Sequence, residues 1–149
     1  MTTAIHLATL DDAPRLLPLI AAFHSEYGLD LDDTAREAAL LPLLQGSPLG
    51  AVWLLGLAKA PTGYVIITFG WSMELGGMYA FVDELYVRPK VRKRGIASEA
   101  LTTISHSLGE VGVKALHLEV DKSDEATQRL YRRARFEARD RFSLMTRML

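Results

Sequence analysis

The chain has 149 residues, 49% of them hydrophobic, a formal net charge of -1 and no cysteine. That length suits a single domain, residues 1–149, with a real core, and the balanced charge excludes a global pull toward nucleic acid or anionic membrane. Lack of cysteine excludes disulfides, thiolate nucleophiles and cysteine-based zinc sites.

Residues 4–7 predict a short first strand. Thr9, Asp11 and Asp12 then offer helix caps with Pro14 in the opening turn. Leu16, Leu19, Ile20, Phe23 and Tyr27 recur at helical spacing, so an amphipathic helix ends by Gly28, starting late or kinking at Pro18. His24 has no partner at i+4 and reads as a helix-surface histidine, not a metal ligand. Asp32, Asp33 and Thr34 cap a second helix that runs to about Leu44 and closes at Gly46.

Two β-rich runs, 51–58 and 63–69, predict a hairpin turning at 59–62. A loop over 70–77 leads to a strand over 79–87. Three strands without an intervening helix argue for an antiparallel meander and against a doubly wound nucleotide fold. A helix over 96–110 follows, with Ile96, Ala100, Ile104 and Leu108 on one face. Residues 114–121 alternate strictly and predict a strand that reaches parallel pairing through a right-handed crossover. A last helix over 125–133 and closing strands over 136–140 and 142–148 complete a mixed α/β (α+β) domain.

No apolar run reaches the ~18–20 residues of a membrane span, and Met1 to Ala4 carry no charged region leading into an apolar one. The default expectation is a cytoplasmic protein without nucleic-acid or membrane partners. His117, Glu119 and Asp121 share a strand face, but alternate positions on one strand chelate poorly, so no metal site is expected.

The chemistry gathers between the 79–87 strand and the helix after it. Arg92, Lys93 and Arg94 arrive together, Gly95 lets the backbone approach a ligand, and the following first turn offers unpartnered N–H groups with partial positive charge. That combination cradles an anion, and a phosphate or pyrophosphate suits it best.

Here the chain resembles the GNAT N-acetyltransferases, whose motif Arg/Gln-x-x-Gly-x-Gly/Ala stands as Arg92-x-x-Gly95-x-Ala97. The resemblance continues through Asp124, Ala126, Leu130, Tyr131 and Phe136, in register with Asn-x-x-Ala-x-x-Leu-Tyr-x-x-x-Gly-Phe. It implies an acyl-CoA N-acyltransferase fold: a mixed, mostly antiparallel sheet of six to seven strands with about four helices. It also implies acetyl-CoA as co-substrate, held by Leu85, Tyr86, Val87, Arg92, Lys93, Arg94, Gly95, Ile96, Ala97, Ser98 and Asp124. Tyr131 would protonate the departing CoA thiolate; core packing of its ring is the competing reading. Phe23 and Tyr27 would line the acceptor pocket with Glu119, although core packing competes for both aromatic residues.

Two positions depart from the family pattern. Asp124 replaces an asparagine, and an ionised carboxylate only accepts hydrogen bonds. Arg135 replaces the glycine that would end the helix left-handed, so that end is expected to close differently.

An amine must be neutral when it attacks a thioester, so the site needs a proton acceptor. Glu84 stands first, Asp83 second and Glu119 third, each with the alternative of structural satisfaction by an arginine or an amide. Asp83 and Glu84 point to opposite faces unless a bulge intervenes, and the family carries one nearby. The leading expectation is acetyl transfer from acetyl-CoA to a primary amine of a small cationic molecule or a peptide. The alternative is a non-catalytic CoA or acyl-CoA sensor. The resemblance admits a homodimer without demanding one.

Overall fold

The computed structural model describes residues 3–149; Met1 and Thr2, on which the leader reading partly falls, lie outside them. Two compact units are present, Met1–Glu119 and Val120–Leu149.

In the first unit, β1 (Ile5–Leu7) leads through a 3-10 turn (Leu10–Asp12) into α1 (Ala13–Glu26) and α2 (Asp33–Leu44). Strands β2 (Gly50–Leu57), β3 (Ala60–Ser72) and β4 (Gly77–Val87) follow, then α3 (Ile96–Glu110) and β5 (Ala115–His117). The sheet runs in order β1-β2-β3-β4-β5, antiparallel throughout except for the parallel β4–β5 pair. Among the described residues the sheet has five strands, fewer than the six to seven expected.

Helix α1 is continuous through Pro18. That residue cannot bond the carbonyl four positions back, and burial of Leu16, Leu19 and Ile20 against the sheet offsets the loss. Asp32 caps α2 by accepting from the Ala35 amide at 2.7 Å, as its position before the apolar run predicts.

Leu16, Leu19, Ile20 and Leu40 from the helices join Val52, Leu54, Tyr64, Ile66 and Tyr86 from the sheet in one core cluster. Val65 and Ile67, one step out of phase, are also fully buried, so both faces of β3 are covered. The buried stripe Ala100, Leu101, Ile104 and Leu108 belongs to α3, the crossover between parallel strands.

The hairpin is tighter and longer than expected. It turns at Ala58 and Lys59, β3 extends to Ser72, and only four residues separate it from β4. The alternating 114–121 run forms a strand only at Ala115–His117, where it finds Tyr79, Ala80 and Phe81 of β4 as partners. Alternation gives two distinct faces, but a ladder also needs a neighbour. No helix among the described residues is long and apolar enough to cross a membrane.

The second unit holds α4 (Glu125–Arg133), and no strand forms over 136–149, where two closing strands were expected. Phe142, Leu144, Met145 and Met148 stand exposed there. Helix α4 does not close differently for want of glycine. Arg135 itself takes the left-handed conformation (φ 71°), and the Phe136 amide donates to the Tyr131 carbonyl at 2.9 Å. The backbone geometry of a glycine cap is kept with an arginine in it.

Candidate active site

The turn before α3 is built as the sequence predicts. Gly95 is the N-cap at φ 81°, in the left-handed region, and among the described residues no side-chain cap bond forms there. Lys93 also takes a positive φ of 65° although it is not glycine. Two left-handed residues two positions apart turn the backbone sharply into the helix, where the first-turn amides of Ile96, Ala97 and Ser98 carry partial positive charge. Lys93 and Arg94 are exposed beside them.

Arg92 already has protein partners. Its Nε donates to the Val87 carbonyl at 2.8 Å, and its two terminal nitrogens grip Glu26 at 2.9 and 2.7 Å. The guanidinium also lies 5.5 Å from the Tyr86 ring centroid. The hydrogen bond and charge of Arg92 hold the Glu26 carboxyl below its ordinary value. The first cation of the motif therefore ties the loop to the end of α1.

Pairing between β4 and β5 stops at Phe81 and His117, while β4 continues to Val87. Beyond that point the β5-facing edge of β4, including Leu85, Tyr86 and Val87, has no strand partner among the described residues. On the other edge Ile66 pairs with Glu84 and Ile67 with Val82, so Asp83 is the extra residue of a β-bulge. A bulge re-aims side chains, and this one sits where the sheet splays.

The two adjacent carboxylates have different surroundings. Glu84 has both oxygens engaged: Tyr64 Oη donates to Oε1 at 2.7 Å, and His24 Nε2 donates to Oε2 at 2.7 Å. Asp83 is solvent-accessible as a residue, yet its carboxyl is pushed above the ordinary value by partial burial first, then by the Glu84 and Glu119 charges, with His24 opposing. Asp83, Glu84 and Glu119 thus form one acidic group. Of the remaining acidic residues near α1, Glu26 is paired with Arg92 and Asp32 is spent on its cap.

His24 is not on the surface. It is buried, at 5% exposure, and so is Arg36 at 7%. Arg36 Nε donates to His24 Nδ1 at 3.3 Å, Nη1 meets Asp33 at 2.7 Å and Nη2 donates to the Leu31 carbonyl at 2.7 Å. Tyr64 is fully buried, and desolvation followed by the Glu84 charge pushes its phenol far up, so the hydroxyl stays a donor. The sequence reading missed Arg36 and Tyr64 and misplaced His24. The signal was present: Leu16, Ile20 and His24 recur every four residues on the buried stripe, Arg36 shares a helix face with Leu40, and Tyr64 alternates in phase with Ile66.

Phe23 is half-buried and its ring lies 6.4 and 6.2 Å from those of Tyr64 and Tyr86, so it packs at the core's edge. Tyr27, 4.6 Å from Phe23, is 66% exposed and is not a core residue. In the second unit Asp124 caps its own helix, accepting from the Thr127 amide at 3.1 Å and from the Thr127 hydroxyl at 2.6 Å. Those bonds hold its carboxyl below the ordinary value. Tyr131 is half-buried on α4, with its ring 6.0 Å from that of Phe136.

No curated protein matches the chain. Among solved structures, an integron cassette protein from the mobile metagenome of Cole Harbour Salt Marsh is 34% identical, with TM-score 0.85, over 97% of this chain and 90% of its own. A ribosomal-protein-alanine N-acetyltransferase from Brucella melitensis biovar Abortus 2308 shares the fold at 24% identity and TM-score 0.78, over 99% of this chain and 100% of its own. An aminoglycoside acetyltransferase from an uncultured soil metagenomic sample does so at 19% and 0.81, over 99% of this chain and 96% of its own. The model of the acetyltransferase (GNAT) family matches residues 15–136, and by that match the chain belongs to the GNAT acetyltransferase family.

Proposed function

We propose that the protein is an acetyl-CoA-dependent N-acetyltransferase whose acceptor is a primary amine of a cationic small molecule or peptide, with Asp83 as the proton acceptor. The observation that carries this reading is the placement of Asp83 on a bulge where β4 leaves β5. Family membership supplies the reaction class. Two neighbours of the same fold are named for amine acceptors, an aminoglycoside and a ribosomal-protein alanine.

The loop residues fit a diphosphate. Gly95 and the amides of Ile96, Ala97 and Ser98 would hold it with Lys93 and Arg94, and the unpaired β4 edge at Leu85 to Val87 would meet the arm of the co-substrate. Bound there, acetyl-CoA supplies an acetyl thioester.

The acceptor arrives as an ammonium ion, since a free alkylamine titrates near ~10.4. Asp83, Glu84 and Glu119 favour that cation electrostatically. Asp83 takes a proton from the nitrogen, directly or through a water, and a carboxyl raised above its ordinary value is the better base for it. The nitrogen–carbon bond forms as the carbon–sulfur bond breaks, and the sulfur leaves as thiolate. The resemblance gives Tyr131 the task of protonating it, and that role rests on sequence register. Glu84 is held by two donors, so Asp83 takes precedence over it.

An amine panel followed by CoA release tests the reading, with wild type, Asp83→Asn and Tyr131→Phe. Turnover of at least one cationic amine is expected, slowed in both variants. A preparation that binds CoA but turns over nothing across a broad panel contradicts the enzyme and leaves the sensor.

A further inference from the structure

Arg36, His24, Tyr64 and Glu84 make one continuous hydrogen-bonded chain from α2 through α1 to β3 and β4. It is nearly dry: the side chains of His24 and Glu84 are 7% and 15% exposed, and Tyr64 is fully buried. Buried polar groups of this kind are costly unless every one is satisfied. Here the directions are forced. An arginine Nε can only donate, so His24 Nδ1 accepts. The imidazole proton then sits on Nε2 and points at Glu84 Oε2. The Tyr64 hydroxyl points at Oε1. Each oxygen of the Glu84 carboxylate thus faces one donor.

We propose that Arg36, His24 and Tyr64 are positioning residues that hold Glu84 as a fixed anion beside Asp83, and that Glu84 serves the reaction through Asp83 and not by touching the acceptor. This rests on the reading of Asp83 as proton acceptor. Glu84 is one residue from Asp83, with both its oxygens turned to the helices and to Tyr64 while the bulge presents Asp83 separately. The titratable groups that act on Asp83 are Glu84 on its own strand, Glu119 just beyond β5, and, in its protonated form, His24 on α1. The first two make it more basic and the third less so; Glu84 is the largest of the charges. The network thereby sets how strong a base the bulge residue is.

The test is a carboxyl NMR titration of Asp83 in wild type and Glu84→Gln, run on CoA-free protein. A glutamine can accept from His24 and donate to the Tyr64 oxygen, so the isostere removes the charge and keeps the network connected. The Asp83 midpoint is expected to fall in Glu84→Gln, and by more than in Glu119→Gln. An unchanged midpoint in Glu84→Gln overturns the proposal. The acidic limb of kcat/KM for a reactive amine is expected to move to lower pH by the same amount; a limb that stays in place also overturns it. Should Glu84→Gln not fold, wild type alone suffices for a second reading. Long-range nitrogen–proton correlation at mildly alkaline pH is expected to show the proton of His24 on Nε2, and a proton on Nδ1 contradicts the chain of donors. The NMR arms need no turnover, so absence of acetyl transfer would count against Asp83 as catalyst without touching the electrostatic link.

Discussion

Arg92 and Glu26 close a two-pronged ion pair at 2.9 and 2.7 Å although 66 residues separate them in the chain. The pair joins the turn before α3 to the last turn of α1, so the first cation of the motif is already paired by the protein. Any anion in the loop is left with backbone amides, Lys93 and Arg94.

The pair's contribution to stability follows from its exposure, 39% and 41% for the two side chains. Exposed pairs are worth about 0–1 kcal/mol. Glu26→Gln is expected to lower stability at neutral pH by no more than about 1 kcal/mol in denaturant titration. Glu26 has a lowered carboxyl in the folded state. Its contribution is therefore present above the unfolded value and disappears as pH falls through the folded one. Variant and wild type should converge at acid pH and in high salt.

Reversing a charge at the loop should act on the ligand, not on the fold. Arg94 is exposed, so Arg94→Glu is expected to leave the thermal midpoint nearly unchanged. CoA affinity measured by calorimetry should fall by about tenfold or more, and the deficit should shrink with salt. Equal affinity in both proteins contradicts the loop as diphosphate seat.

Arg135 holds a left-handed backbone, φ 71°, that costs a residue with a Cβ roughly 1–2 kcal/mol. Arg135→Gly should relieve the strain, offset partly by the greater freedom of glycine in the unfolded chain. A gain of about 1 kcal/mol or less in denaturant unfolding is expected; a loss would show that the arginine side chain contributes more than its backbone costs.

The backbone of the loop at Gly95 was legible in the sequence, while the contacts around it depended on distant residues. The loop at Gly95 is a local pattern of strand, basic turn and helix, so its backbone follows from neighbouring residues. The stripe of Leu16, Ile20 and His24 turns His24 inward, but its partners could not be read from its own helix. Its partner Glu84 lies 60 positions away, and its second partner Arg36 sits on another helix. The choice between Asp83 and Glu84 needed the bulge, which exists only in the register against Ile66 and Ile67. The absent closing strands over 136–149 make the same point in reverse, since β propensity proposes a strand but only a partner makes one.

Asp83→Asn separates function from stability. A folded carboxyl raised above the ordinary 3.8 binds its proton more tightly than the unfolded chain does. Stability from this group is therefore greatest below the unfolded value and is lost as pH rises through the folded one. At neutral pH the ionised Asp83 opposes folding, so Asp83→Asn should raise the thermal midpoint while it slows acetyl transfer by about 10²–10⁴-fold. A variant as active as wild type removes Asp83 from the chemistry.

A crystal structure of the acetyl-CoA complex decides whether the start of α3 receives the diphosphate. Density for the diphosphate against the amides of Gly95, Ile96, Ala97 and Ser98, with Arg92 still on Glu26, is the expected result. Density elsewhere, or a loop that rebuilds so that Gly95 leaves its left-handed conformation, would rule out the start of α3 as the diphosphate site.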